Sequence, residues 1–433
     1  MKYYNTNQPQ DVVNMQEAVT AAVPVCGGLY MPASLPKIPQ AFVQNMSDMS
    51  LREIAYVTSN VFLGEDLDSK TIKDIVDNAL SFDIPLVEIS DKLYALELFH
   101  GPTGVFKDIG ARFLAGLLSA VTKGVNRTLN VLVSTTGNTG MAVANAFANH
   151  PGINVFILYP FGTVSKETAH EMMSAGENIH AIEISGTIDD CKSIIESAFE
   201  DKSLREDILL STANSTNFAR LVPQLALFFY ATAQLARKGI RATDYDIAVP
   251  SGNLGLLTAG VMAKQIGLQC GTIIAACNAN NAFDRLLKTG HFDRRSTIRT
   301  LAPLMDMAVP SNLPRLQALA GGDIENFSGT VSSVTVDDDL IRRTVRQTAL
   351  EHGYIADPHT AVGIAALNLR NDNRPGLVFA TAAPSRSIRQ MNEILGDVFT
   401  NVTPKTEHHA ARYKSERIAP TYPALKKYLL AHQ

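Results

Sequence analysis

The sequence predicts an α/β protein of two domains, with mainly parallel sheets flanked by helices and an N-terminal extension. Three observations carry this prediction. Short β-rich runs alternate with helical ones through most of the chain. Several of these runs are continuously apolar, as strands covered on both faces by helices must be. Residues up to about Asp91 break the pattern, with helical stretches but few strands.

In chain order, residues 1–91 are the extension, in which Ser50–Asn60 and Ser69–Leu80 have helical character. Residues 92–230 are expected to form a catalytic domain and residues 231–433 a C-terminal domain. The strand runs are Asn130–Ser134, Asn154–Tyr159, His180–Ser185, Tyr245–Val249, Gly271–Ala276, Val331–Val336 and Leu377–Thr381. Between Asp108 and Val121, Ile109, Phe113, Leu117 and Val121 recur every four residues and mark the buried face of a helix. The polar stretch after Asn401 contains Pro404 and Pro420 and is expected to wrap the surface.

A chain of 433 residues can bury more than one core. Its formal net charge is −4 and it has no long basic run, which argues against nucleic-acid binding by phosphate neutralisation. The N-terminus lacks the apolar core of a signal peptide. The most apolar helical stretch, Leu225–Ala236, is too short to span a bilayer. A cytoplasmic protein without a membrane partner is expected. Cys26, Cys191, Cys270 and Cys277 form no CxxC pair and read as reduced. The histidines lack HExxH spacing, and adjacent His408 and His409 do not share a helical face, so no metal is expected.

Parallel sheets place ligands at the carboxyl ends of their strands. Two strand-to-helix junctions there share one pattern. Val131–Gly140 runs into Met141–Phe147, and Ile247–Gly255 runs into Leu256–Gly260. Glycines let successive backbone N–H groups point at one ligand, and the following helix adds its positive dipole end. Either loop alone has an equally ready structural reading, because strands turn into helices through glycine. Neither contains the Gly-Lys-Ser/Thr of a phosphate-binding P-loop, nor a GxGxxG fingerprint, which weakens a nicotinamide reading. A third cluster, Ser211–Arg220, offers Asn214, Ser215 and Asn217 as donors and Arg220 as a planar fork suited to phosphate. Its alternative reading is a helix N-cap.

Lys107 stands out by its neighbourhood. Gly101, Pro102 and Gly104 shape a tight turn, and Phe99, Val105 and Phe106 can exclude water around an amine. Desolvation lowers a lysine pKa, and the neutral amine is the form that attacks an aldehyde.

Together these segments resemble the threonine synthases, of fold type II among pyridoxal-phosphate enzymes (tryptophan synthase β-like). The resemblance runs in order through Met1–Thr6, Cys26–Pro32, Glu97–Thr103, Phe106–Asp108, Asn214–Arg220, Val249–Gly255 and Asp357–Val362, and so covers nearly the whole chain. It implies that Lys107 binds pyridoxal 5'-phosphate as a Schiff base and later moves protons. It implies that Ser251, Gly252, Asn253, Leu254 and Gly255 hold the cofactor phosphate, that Asn138 contacts the ring hydroxyl and that Thr381 lies beside the pyridine nitrogen. Thr135, Thr136 and Thr139 would receive the substrate carboxylate, and Asn214, Ser215, Asn217 and Arg220 the substrate phosphate. Arg386 joins the substrate set by its charge. The implied reaction converts O-phospho-L-homoserine and water into L-threonine and phosphate, in a monomer or homodimer.

Several positions depart from the family pattern. Asn138 stands where many members have Asp, Thr163 lies in a turn without the usual basic residues, and Leu256 replaces an acidic residue. In Thr381–Ser387, Ala383 and Arg386 stand where His and Lys are typical. These changes motivate an alternative: a diverged lyase acting on another phosphorylated amino acid such as O-phosphoserine. A catalytically silent relative is a further alternative, opposed by Lys107 and the Ser251–Gly255 loop. His100 and His359 are expected to be structural donors.

Overall fold

The computed structural model describes residues 1–370, 372–400 and 416–432. Local signals start the first long helices. Ser50 caps Leu51–Leu63 through a reciprocal capping box with Glu53, and Asp68 caps Ser69–Ala79. Before them, β1 (Lys2–Asn5), β2 (Val12–Asn14) and β3 (Tyr30–Pro32) form a small antiparallel sheet in the order β2-β1-β3. Strands of three or four residues are too short to show a period, so the sequence does not announce them.

The remaining strands build two sheets. In chain order they are β4 (Leu86–Ser90), β5 (Leu93–Glu97), β6 (Leu129–Ser134), β7 (Ile153–Pro160), β8 (Ile179–Ile184) and β9 (Leu209–Thr212). Then come β10 (Asp246–Pro250), β11 (Ile273–Cys277), β12 (Val331–Thr335), β13 (Gly376–Ala380) and β14 (Glu416–Ile418). The larger sheet has the order β12-β11-β10-β13-β5-β4, parallel except for the β4–β5 hairpin. The smaller has the order β14-β8-β7-β6-β9 and is parallel throughout. Every strand run expected from the apolar pattern is present within about two residues.

The sheets do not follow the linear divisions at 91/92 and 230/231. β5 pairs with β13 from Gly376↔Leu93 to Ala380↔Glu97, so the chain leading to Lys107 belongs to the sheet of the C-terminal strands. Four of the five β5 residues are buried, and an interior strand must find hydrogen-bonding partners on both edges, wherever in the chain they lie. The C-terminal stretch also does more than wrap the surface. β14 extends the smaller sheet, and helix Tyr422–Ala431 buries Leu425 and Leu429 with Phe156 and Ile182. The expected Pro404, His408 and His409 lie outside the described residues.

Helix Val222–Arg237 is buried on nearly all sides and packs Phe228 against Phe379 of β13, ring centroids 4.8 Å apart. Gly260 in helix Gly255–Ile266 permits this: a Cβ there would lie 2.6 Å from the Phe228 ring. Among the described residues, no helix is long and apolar enough to cross a membrane, and no group of three potential metal ligands occurs. The four cysteines are free; Cys191, Cys270 and Cys277 are buried.

Candidate active site

β5 ends at Glu97, and the chain turns through residues 98–106 into helix Lys107–Val121. The buried Asp108 carboxylate organises this turn. It accepts hydrogen bonds from Thr103 N at 2.8 Å and Thr103 Oγ1 at 2.6 Å. Gly101 passes so close that a Cβ there would sit 2.6 Å from Asp108 Oδ2. The turn is then zipped to the end of β13, where Phe106 N donates to Thr381 O and Ala383 N to Gly104 O, each at 2.9 Å. Thr381 is thereby fixed next to Lys107 in the fold.

Lys107 is partly buried, and its ammonium has no hydrogen-bond or ion-pair partner among the described residues. Burial, helped by the nearby Arg220 guanidinium, brings its pKa down to about 8. Arg220 is buried against the first turn of the same helix, donating from Nη2 to Lys107 O at 3.3 Å and from Nη1 to Ala213 O. Its Nε has no partner, and it forms no ion pair among the described residues. Burial lowers its pKa to about 10, against the pull of Asp108. A buried cation with an unused donor is well suited to an anion.

The loop after β6 is shaped from within. Thr135 Oγ1 accepts from Gly137 N and Gly140 N, both at 2.9 Å. Thr135 Oγ1 thus organises the loop, and its own hydroxyl proton, which no acceptor among the described residues takes, remains available to a ligand. The N–H groups of Thr136, Asn138 and Thr139 have no protein acceptor among the described residues, and Asn138 opens helix Asn138–Phe147. Thr136 is exposed, whereas Asn138 and Thr139 are partly buried. Arg386 is brought to the same region: its Cδ lies 3.4 Å from where a Cβ on Gly104 would stand, and Nη2 is 2.7 Å from Met141 Sδ.

Two corrections fall in the third cluster. The Asn217 amide donates to Val19 O at 3.0 Å and Thr212 O at 3.1 Å while its oxygen accepts from Ala219 N. The Asn214 amide bridges to Ser134, accepting from its N and donating to its O, both at 3.1 Å. Their donors are occupied within the protein: Asn217 caps the short helix Phe218–Arg220, as the N-cap reading expects, and Asn214 instead ties the segment to the end of β6. Ser215 and Arg220 retain capacity. Ser215 joins the other glycine loop, where its Oγ accepts from Asn253 Nδ2 at 2.6 Å.

In that loop, Ser251 turns inward, its Oγ donating to Val249 O at 2.7 Å. The N–H groups of Gly252, Asn253, Leu254 and Gly255 have no protein acceptor among the described residues, and Leu254 is left-handed at φ 62°, immediately before helix Gly255–Ile266. Four such amides at a helix N-terminus make an anion cradle. His359 supports it from behind. Its Nε2 accepts from Leu304 N at 3.2 Å, its Nδ1 donates to Asp357 at 2.5 Å, and the adjacent Met305 presses on Gly252. His100 pairs with Glu97 at 2.7 Å and stacks on Phe99. Both histidines take structural roles. Of the departures, Thr163 closes a turn by donating to Pro160 O at 2.8 Å, and Leu256 is buried in the first turn of its helix.

Asn312 and Arg315 are polar groups of the site that the sequence did not mark, and Asp108 is one to which it assigned no role. Asn312 Nδ2 donates to Ser215 Oγ at 3.2 Å and to Asn253 O at 3.1 Å, and Arg315 is fully buried behind it.

The sequence profile of the pyridoxal-phosphate dependent enzymes matches residues 83–380, and that of the threonine synthase N terminus matches residues 2–80. The chain belongs to the threonine synthase family. Threonine synthase from Buchnera aphidicola is 34% identical over 99% of this chain and all of the relative. That from Escherichia coli is 32% identical with full coverage of both, and its crystal structure superposes with a TM-score of 0.88. A pyridoxal-phosphate-bound threonine synthase structure from Brucella melitensis, 27% identical, also gives 0.88, covering 100% of this chain and 99% of that one. The fold is thus that of fold type II, and the cofactor is pyridoxal phosphate. The residues fit it: a partnerless amine of lowered pKa for the aldehyde, and acceptor-free amides for the phosphate.

Proposed function

We propose that the enzyme converts O-phospho-L-homoserine and water into L-threonine and phosphate, with Lys107 as its proton carrier and Arg220 as the ligand of the departing phosphate. One observation carries this reading: the lysine with a pKa of about 8 lies against a buried arginine that has an unused Nε and no ion pair. When bound, pyridoxal phosphate supplies an electron sink for carbanions next to its imine.

The remaining work falls to the chain. The acceptor-free amides of Gly252, Asn253, Leu254 and Gly255 bind the cofactor phosphate. Asn138 would contact the ring hydroxyl of the bound cofactor, and Thr381 would lie beside its pyridine nitrogen. The amides of Thr136, Asn138 and Thr139, with Arg386 close by, hold the α-carboxylate. The Lys107 amine is accessible in both protonation states near neutral pH, so it can accept a proton at one carbon and return it at another. Arg220 stabilises the charge that develops as phosphate leaves the γ carbon. Water then adds at the β carbon.

The test is phosphate release from O-phosphohomoserine with threonine identified as product. Wild type should release phosphate and form threonine together, and Lys107→Ala should do neither. Release from O-phosphoserine alone would overturn the substrate assignment.

A further inference from the structure

Arg315 is buried with no carboxylate partner among the described residues, and burial lowers its pKa to about 9. Its five N–H groups all reach oxygens. Nε and Nη2 donate to Tyr30 O at 3.3 and 3.2 Å, Nη2 also to Thr216 O at 2.7 Å, and Nη1 to Ser215 O at 2.9 Å and Asn312 Oδ1 at 2.7 Å. Tyr30 belongs to the N-terminal sheet, Ser215 and Thr216 follow β9 of the smaller sheet, and Asn312 bonds the loop after β10 of the larger one. One guanidinium therefore joins all three sheets at the loop expected to hold the cofactor phosphate.

A guanidinium can only donate. It therefore forces the Asn312 oxygen to face it, and the Asn312 amide N–H groups must face Ser215 Oγ and Asn253 O. Likewise Ser311 N donates to Asn253 Oδ1 at 2.5 Å, which turns the Asn253 amide N–H toward Ser215 Oγ. Ser215 Oγ thus receives two N–H donors, at 2.6 and 3.2 Å, and both lone pairs are occupied. A hydroxyl has one proton left to give, and no protein acceptor takes it among the described residues. Ser215 lies beside the cradle: its Cβ is 3.9 Å from where a Cβ on Gly255 would stand.

We propose that Arg315 and Asn312 are positioning residues that fix the Ser215 hydroxyl as a donor to the cofactor phosphate held by Gly252–Gly255. This moves Ser215 from the substrate-phosphate set to the cofactor set. It rests on the reading of that loop given above. The direction of donation runs outward from Arg315 through the Asn312 amide to Ser215 and then to the phosphate.

Asn312→Asp tests it, because a carboxylate keeps the bond to Arg315 but accepts the Ser215 proton instead of donating to its oxygen. Affinities of the full chain for pyridoxal phosphate and for pyridoxal, read by absorbance, separate the phosphate contribution from the ring. Ser215→Ala should weaken pyridoxal phosphate about 10-fold or more, the worth of one hydrogen bond to a charged group, and leave pyridoxal unchanged. Asn312→Asp should do the same, its counter-ion to Arg315 offsetting the lost bond to Asn253 O. In the Ser215→Ala background, Asn312→Asp should add little. Full additivity would mean simple charge repulsion and would overturn the relay, as would wild-type affinity in Asn312→Asp. Equal losses for both ligands would overturn it too. Unchanged cofactor affinity with weaker inhibition of the holoenzyme by inorganic phosphate would place Ser215 on the substrate instead. If Asn312→Asp does not fold, Ser215→Ala still decides whether the hydroxyl serves the phosphate. A wild-type chain that binds pyridoxal as tightly as pyridoxal phosphate would sink the loop assignment itself.

Discussion

Replacing Lys107 with Met should make the cofactor-free chain more stable at neutral pH. The side chain is partly buried, has no partner, and has its pKa lowered from 10.5 to about 8 by burial first and Arg220 second. An unfolded lysine binds its proton up to about pH 10.4. Between that value and 8 the unfolded chain therefore holds one more proton than the native chain, and native stability rises with pH through this window. Below 8 both states are protonated, and the full cost remains: about 3 kcal/mol at roughly 1.4 kcal/mol per pH unit.

Met fills a similar volume without a charge, so Lys107→Met removes that cost. Denaturant unfolding of cofactor-free wild type and variant, measured from pH 7 to 10.5, reads it directly. The variant should be more stable by about 3 kcal/mol at pH 7. The two curves should converge as pH approaches 10.5. Parallel curves, or a variant less stable at pH 7, would refute the claim that Lys107 is held in a site hostile to its charge.

Two other substitutions probe the neighbours. Arg220→Leu removes the second cause of the Lys107 shift, so the pH midpoint of Schiff-base formation should move up by less than about one unit. The same variant should lose about 100-fold or more in turnover, because the departing phosphate loses its charged donor; an unmoved midpoint with normal turnover would refute its role. Gly260→Ala places a methyl 2.6 Å from the Phe228 ring and should cost about 1–3 kcal/mol in unfolding experiments, with KM unchanged in the surviving enzyme.

What the sequence made legible depended on how local the cause was. β6, β7, β8, β10 and β11 are short apolar runs bounded by polar turns, and their own residues determine that they are buried strands. The glycine loops were legible for the same reason, since a sharp turn from strand to helix is written in adjacent residues. The placement of β5 was not. Leu93–Glu97 is not among the expected strand runs, and its pairing with β13 joins residues nearly three hundred positions apart, so a division of the chain by sequence order cuts the larger sheet.

The third cluster shows a different limit. Asn214, Ser215, Asn217 and Arg220 carry the same donor chemistry whether they bind a ligand or cap a strand end, and only the partners decide. Two of the four have their donors taken by neighbouring backbone and side-chain oxygens. Conversely, Asn312 and Arg315 lie three residues apart at a short helix, a spacing that reads as a solvated face until Arg315 is found with no exposed surface. Arg220 and Arg315 share a property no local pattern could reveal: each is a buried guanidinium without an ion pair among the described residues. Burying such charges is costly unless an opposite charge arrives. The reaction brings two, a cofactor phosphate and a substrate phosphate, and each arginine lies within or behind a loop with donors to spare. The site is therefore most stable when loaded, and added pyridoxal phosphate should raise the melting temperature of wild type more than that of Ser215→Ala.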